Sequence, residues 1–348
     1  MHQFNDIAIP IAWPDQTARG DELWMAILKK LGIVKNLNFK VGHAAIILVE
    51  RKTGNLRYFD FGRYITPRGF GRARSSLFDP RLELETIACF SEDGDLQNFE
   101  EILQELKIKE PATHGGGRLL CSICEQVSFQ KGLEFAESLV DKGPILYGAI
   151  APNNNSCSRY VAQVLVSALE KDDPRINKIL YPECLKASPT SNVVNAGYSD
   201  VIYCYVDSKL ETWNMGRWDS LKFQVELLHP NFLKSKSHEL PDDLILGHVE
   251  EPKRPKHLPE TAQWLGGLGE GCWYSLLDYS GDIEITRYNY KGEIDYSVYC
   301  NTETDFTDFS DFRFSYYVHH KRHIIKQNNQ EIVFNTLDIS RLNLKKSI

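Results

Sequence analysis

Three prolines in ten positions divide this chain. The segment Glu250-Glu251-Pro252-Lys253-Arg254-Pro255-Lys256-His257-Leu258-Pro259 can hold neither a helix nor a central strand, because each proline removes a backbone N–H and fixes φ. The texture changes across it. Before the break, apolar residues recur at helical spacing between short apolar runs. After it, Trp273-Tyr274-Ser275-Leu276-Leu277, Ile283-Glu284-Ile285-Thr286-Arg287-Tyr288 and Tyr296-Ser297-Val298-Tyr299 alternate as strands do. The expected organisation is therefore a mixed region over 1–207, a connecting segment over 208–258 and a small β-rich module over 259–348.

In the first region the spacing predicts helices over Asp21–Leu31, Asn98–Leu106, Gln130–Val140 and Cys157–Leu169. Strands are expected at Val41–Val49 and Leu56–Phe61, joined by the turn Lys52-Thr53-Gly54-Asn55, and again at Arg118–Val127 and Asp200–Val206. In the module a hairpin is expected around Asn328-Asn329. At 42% hydrophobic residues, the 348-residue chain can bury a real core, and its net charge of −7 argues against a nucleic-acid partner. Eight cysteines are too sparse for a disulfide scaffold. No run approaches the roughly 18 apolar residues of a membrane span, and the opening residues have neither the basic nor the apolar part of a secretory leader. The expectation is a cytoplasmic protein with reduced thiols.

Two places carry chemistry. A polar loop, Asn153-Asn154-Asn155-Ser156, delivers Cys157 to the first turn of an amphipathic helix. Unpaired N–H groups and the positive end of the helix dipole there stabilise a thiolate, and the same groups suit an oxyanion. A thiolate nucleophile needs a base, and His43 stands at the mouth of the apolar strand Ala44–Val49. On the next strand Asp60 alternates with Phe59 and Phe61, so it can share a face with His43 and orient the imidazole.

Tyr147-Gly148, Pro152 and Ser156-Cys157-Ser158-Arg159-Tyr160-Val161 together resemble the nucleophile motif of NlpC/P60 cysteine peptidases. Gly42-His43-Ala44-Ala45-Ile46 and Tyr58-Phe59-Asp60 are similar to that family's His strand and third-residue strand. The histidine comes 114 residues before the cysteine, the order of the circularly permuted branch that includes lecithin:retinol-acyltransferase-like and YiiX-like proteins. The resemblance implies an α+β, permuted papain-like NlpC/P60 domain followed by the small C-terminal β-rich domain. It implies Cys157, His43 and Asp60 as catalytic residues, with Tyr147, Ser156, Ser158 and Arg63 at the oxyanion and substrate. Ser156 and Arg159 stand where the family has Asp and Gly, and Asp60 replaces a His, Asn, Gln or Glu. Ile11-Ala12-Trp13-Pro14, Phe59-Asp60-Phe61-Gly62-Arg63-Tyr64 and Ser188-Pro189-Thr190 also resemble a family of uncharacterised Bacteroidetes proteins, which supplies no substrate.

Other motifs have simpler readings. Cys121 and Cys124 have the spacing of a zinc half-site with His114 nearby, but strand residues three apart face opposite sides, so no metal is expected. Arg68, Arg72 and Arg74 lie in a Gly-rich stretch expected to be a solvated loop, with an anion clamp as the alternative. His319, His320 and His323 are expected on a surface strand edge, and the acidic run from Thr302 to Asp311 in a solvated loop anchored by phenylalanines rather than around calcium. The expected activity is a cofactor-free cysteine amidase or peptidase on an unknown amide or ester. The alternatives are a thiol acyltransferase on lipid-like substrates and an inactive binding or scaffold protein. Oligomeric state is not legible.

Overall fold

The computed structural model describes residues 4–337 apart from 21–22, 149–152, 242–248, 280–281, 305, 307–308 and 310. It is an α+β protein built on two antiparallel sheets. Among the described residues the first sheet has nine strands: β1 (Asp6–Trp13), β2 (His43–Val49), β3 (Leu56–Gly62), β4 (Phe70–Arg74), β5 (Leu119–Cys121), β6 (Cys124–Val127), β7 (Ile145–Leu146), β8 (Val201–Val206) and β9 (Lys209–Asn214). Their order is β9-β8-β5-β1-β2-β3-β4-β7, with β6 also paired to β1. Both central strands, β1 and β2, are buried almost throughout. That explains the unbroken apolar run Ala44–Val49, since a strand covered on both faces needs no polar alternation.

One face of this sheet is covered by α2 (Phe99–Ile108), which inserts Phe99, Ile102, Leu103 and Leu106 against Ile9, Ile47 and Tyr58. The opposite face carries α3 (Phe129–Asp141) and α4 (Cys157–Ala168). The helix predicted at Asp21–Leu31 is α1 (Leu23–Lys30), its first two residues lying outside the described ones. Strand and helix expectations agree with the structure to within two residues, except that Arg118–Val127 is interrupted at Ser122-Ile123 into β5 and β6. Segment 208–258 carries regular structure of its own. Its β9 completes a hairpin with β8, and α6 (Arg217–Leu227) follows; α5 (Pro189–Ala196) precedes that hairpin, behind a Ser188–Ser191 capping box.

The second sheet comprises β10 (Gln263–Leu265), β11 (Cys272–Tyr279), β12 (Asp282–Tyr288), β13 (Ile294–Asn301), β14 (Arg313–His319), β15 (Arg322–Gln327) and β16 (Gln330–Thr336), ordered β10-β11-β12-β13-β16-β15-β14. It curls into a near-barrel. The Gln263 side chain joins its two edges, donating to Phe312 O at 2.8 Å and accepting from Phe314 N at 2.9 Å. Asn328 and Asn329 both adopt positive φ, as a two-residue hairpin requires. Of the histidine run, His319 ends the edge strand β14 as expected, whereas His323 lies on the inner strand β15 and is wholly buried between Tyr274 and Tyr296. Phe306, Phe309 and Phe312 do anchor the acidic loop, several of whose residues lie outside the described ones.

The two sheets share one core. A single apolar cluster runs from Ile46, Phe61 and Val161 to Leu276, Ile325 and Phe334. Backbone bonds stitch the seam, with Ile65 N donating to Glu270 O at 2.7 Å and Gly269 N to Arg63 O at 2.8 Å.

Candidate active site

Strand register sets the first part of the site. Ala45 lies opposite Asp60 across β2 and β3, so His43 and Asp60 are diagonal neighbours on one face. Gly42, at φ +75°, turns the chain into β2, and a Cβ there would lie 3.0 Å from Trp13 O. His43 stacks on Trp13 at 5.7 Å. Its Nε2 is 3.4 Å from Asp60 Oδ2 and 3.5 Å from the Tyr64 hydroxyl. Tyr64 folds back over Gly62, where a Cβ would be only 2.1 Å from the ring.

Cys157 arrives from the other side of β2 on the first turn of α4. The loop before it is pinned: Gly148 N donates to Asn155 O, Asn155 N to Leu146 O, and the Asn155 side chain spans Ser156 N and Gln163 Oε1. Ser156 is the N-cap, accepting from Arg159 N at 3.4 Å. Cys157 and His43 line one cavity, and the Ser158 hydroxyl lies 3.7 Å from the sulfur. With Nε2 turned to Asp60 and Tyr64, Nδ1 is the imidazole nitrogen left for the thiol.

The electrostatics follow from these contacts. Burial pushes the Cys157 thiol up, but the hydrogen bond and charge of His43, with Ser158 and Ala44, bring it below the ordinary thiol range. Burial pushes His43 down, and the bonds to Asp60 and Cys157 outweigh it, raising the imidazole to about 9. The two shifts run in the directions that favour a thiolate beside an imidazolium.

Asp60 is not held by His43 alone. Its carboxylate is fully buried and takes a fork from Arg74, at 2.9 Å to Oδ1 and 2.5 Å to Oδ2, plus the Tyr58 hydroxyl at 2.9 Å. Burial opposes its charge, yet Arg74 and His43 hold it well below the usual carboxylate range. The expectation of a solvated arginine loop fails for Arg72 and Arg74. Phe70–Arg74 is a strand, so alternation drives both guanidinium groups inward, and each is almost wholly buried. Arg72 donates to Val318 O and Tyr316 O of the second sheet. Arg68 is exposed.

Several residues near the site were read otherwise from the sequence or not singled out there. The Arg74 guanidinium sits 3.7 Å over the Tyr64 ring, and His114 stacks with that ring at 4.6 Å. Glu270, from the second sheet, lies 3.6 Å from His114, 3.1 Å from Arg81 and 3.1 Å from Arg287. Arg287 in turn meets Asp79 at 2.9 Å and Asp295 at 3.0 Å. Glu270, Cys272 and Asp295 stand close enough to suggest a metal, but the two carboxylates already face Arg81 and Arg287. Two fixed cations there favour an ion-pair network. Cys121 and Cys124 face opposite sides of the sheet, in separate core clusters.

A cavity of about 740 Å³ opens over Cys157 and His43. Tyr147, Arg63, Ser156 and Ser158 line it, together with Arg19, Met25, Phe39 and Phe232. Tyr147 stacks on Phe61 at 6.2 Å and carries the Arg63 guanidinium 4.9 Å above its ring. Thus the structure brings Cys157, His43, Asp60, Tyr147, Arg63, Ser156 and Ser158 to one place; Pro152 lies outside the described residues.

Residues 8–174, which span His43, Asp60 and Cys157, match a family described as Type VI secretion system effector TseH-like. The N-terminal region resembles these effectors. Residues 262–337 match the DUF6695 C-terminal domain. The crystal structure of the Type VI secretion system effector TseH is similar at 18% identity and a TM-score of 0.41, covering 60% of this chain and 98% of that one. No curated protein matches the chain. Among the described residues no helix is long and apolar enough to cross a membrane.

Proposed function

We propose that the protein is a cysteine-dependent amidase or peptidase acting through Cys157, His43 and Asp60. The observation that carries this reading is a cysteine at a helix N-terminus that lines one cavity with His43, whose Nε2 faces Asp60 at 3.4 Å. The Cys157 thiolate adds to the carbonyl carbon of an amide or ester, and the carbonyl electron pair moves to oxygen. The Cys157 N–H, in the unpaired first turn, stabilises that oxyanion, with Tyr147 on the same cavity wall. As the intermediate collapses, protonated His43 gives its proton to the leaving amine or alkoxide, and a thioester remains. Water, deprotonated by His43, then attacks the thioester; the carboxylic acid leaves and the thiol is restored. Asp60 keeps the imidazole oriented, its own charge balanced by Arg74.

The division into a thiol-chemistry domain at 1–207, a connecting segment at 208–258 and a β module at 259–348 belongs to this proposal, as does the permuted order in which the histidine strand precedes the nucleophile helix. Ser156 is assigned to capping the helix, and Ser158 to tuning the sulfur. Chemistry of this kind needs a reduced thiol, so the proposed compartment is the cytoplasm. The test is labelling with electrophilic peptidyl and acyl probes, comparing the native protein with Cys157→Ala. Peptidyl labelling confined to the native protein supports the amidase, whereas preference for long-chain acyl probes favours an acyltransferase. A native protein that labels no faster than Cys157→Ala would leave the papain-like scaffold as a binding module.

A further inference from the structure

The walls of the cavity are unlike the rest of the molecule. The chain carries a net charge of −7, yet among the described residues those lining the cavity include Arg19, Lys40, Arg63 and Lys186 and neither Asp nor Glu. Two of these cations are accounted for elsewhere: Lys40 pairs with Asp15 at 3.2 Å, and Lys186 is exposed. Arg19 and Arg63 are different.

Arg19 belongs to a short strand, Ala18–Arg19, paired with Asn38–Phe39. Its Nε and Nη1 are buried with no hydrogen-bond partner. Its carbonyl accepts a bond from Arg63 Nη2 at 2.9 Å, so the two residues are tied together on one wall. Arg63 is also held over the Tyr147 ring, which fixes its plane. Buried guanidinium donors left unpaired are unfavourable without an anion, and the planar guanidinium fork fits a carboxylate or phosphate. Apolar neighbours Met25, Phe39, Leu228 and Phe232 continue the same wall.

We propose that the substrate of Cys157 carries an anionic oxygen group, carboxylate or phosphate, on a partly apolar arm, and that Arg19 and Arg63 read it. This rests on the thiol reading above and supplies its substrate class. A neutral peptide or a plain fatty acyl chain leaves the Arg19 donors unmet, so the site discriminates against both.

The test uses N-alkyl chloroacetamides whose chains of two to five carbons end in carboxylate, phosphonate or carboxamide. Labelling of Cys157 at pH 7 and low salt is expected to be at least tenfold faster for one of the anionic series than for the carboxamide at matched length. Whichever anion is faster identifies the group. Arg19→Gln and Arg63→Gln should each bring that ratio down severalfold, and Arg19→Lys, which keeps the charge, should retain most of it. Calorimetric titration of Cys157→Ala with the matching monocarboxylate, monophosphonate and carboxamide acetamides reads the same preference without thiol chemistry. Slow labelling with the anion preference intact in calorimetry would overturn the thiol reading alone. Equal rates and equal affinities for charged and neutral arms, or a ratio unmoved in both glutamine variants, would overturn the anion site.

Discussion

Cys157 and Cys124 both have a cation at the sulfur, and their thiols shift in opposite directions. Arg175 Nη1 lies 3.4 Å from Cys124 Sγ, but burial still pushes that thiol up to about 12. Cys157 meets an imidazole and comes down. The difference lies in what else each cation serves. Arg175 is forked onto Asp173 at 2.9 and 2.6 Å, so little of its charge remains for the sulfur. His43 has a partner too, but Asp60 is itself neutralised by Arg74, and Ala44 N–H and Ser158 add donors at Cys157. Cys124 is buried within a sheet and does not line the cavity over His43, whereas Cys157 does. A nearby cation is therefore insufficient to activate a thiol; its counter-charge must be engaged elsewhere and the sulfur must be reachable.

That comparison can be attacked at each point. The largest effect is expected from Asp60→Asn, which leaves the wholly buried Arg74 without its carboxylate. Urea unfolding should show a loss of about 3–5 kcal/mol, as for other broken buried pairs. A loss below about 1 kcal/mol would show that Arg74 does not depend on Asp60. Glu270→Gln weakens the same network from the second sheet, next to Arg81, Arg287 and His114, and a loss of roughly 1–3 kcal/mol is expected by the same measurement. No change would mean that the seam's charges are already met by Asp79 and Asp295.

Smaller effects concern pH. His43 is raised above its unfolded value, so its contribution to stability is complete below about 6.5 and is lost as pH rises toward about 9. Cys157 is lowered at the same time and gains stability over that range, so the His43 contribution is read without the thiol. Between pH 7 and 9 the stability of Cys157→Ala should fall more steeply than that of the double variant with His43→Ala, read from the urea midpoint. Parallel curves would mean that the imidazole is not charged in the fold. Smallest of all, Ser158→Ala should slow Cys157 alkylation by a fewfold, because one of several donors is lost; an unchanged rate would take the hydroxyl out of the account.

Sequence carried the strand–helix frame and the Cys157, His43 and Asp60 grouping because local patterns encode them. Period-2 alternation puts Asp60 opposite Phe59 and Phe61, and a polar loop before an amphipathic stretch marks a helix start. What surrounds the triad was not legible. Arg74 looked solvated because Gly69 and Gly71 disguise a strand, although Arg72-Ala73-Arg74 does alternate. Glu270 lies 210 residues from Asp60 in the chain, and no local pattern links the first sheet to the second. Arg19, on a two-residue strand, has no periodicity to read.

The most direct test is the pH dependence of Cys157 alkylation by iodoacetamide, followed by mass spectrometry of the Cys157 peptide beside N-acetylcysteine. For the native protein the account predicts a rate that rises and levels off at lower pH than that of N-acetylcysteine. In His43→Ala the rate at pH 7 should fall about tenfold or more, with the rise displaced to the pH range of an ordinary thiol. A native profile that climbs only near pH 9, unchanged by His43→Ala, would contradict it.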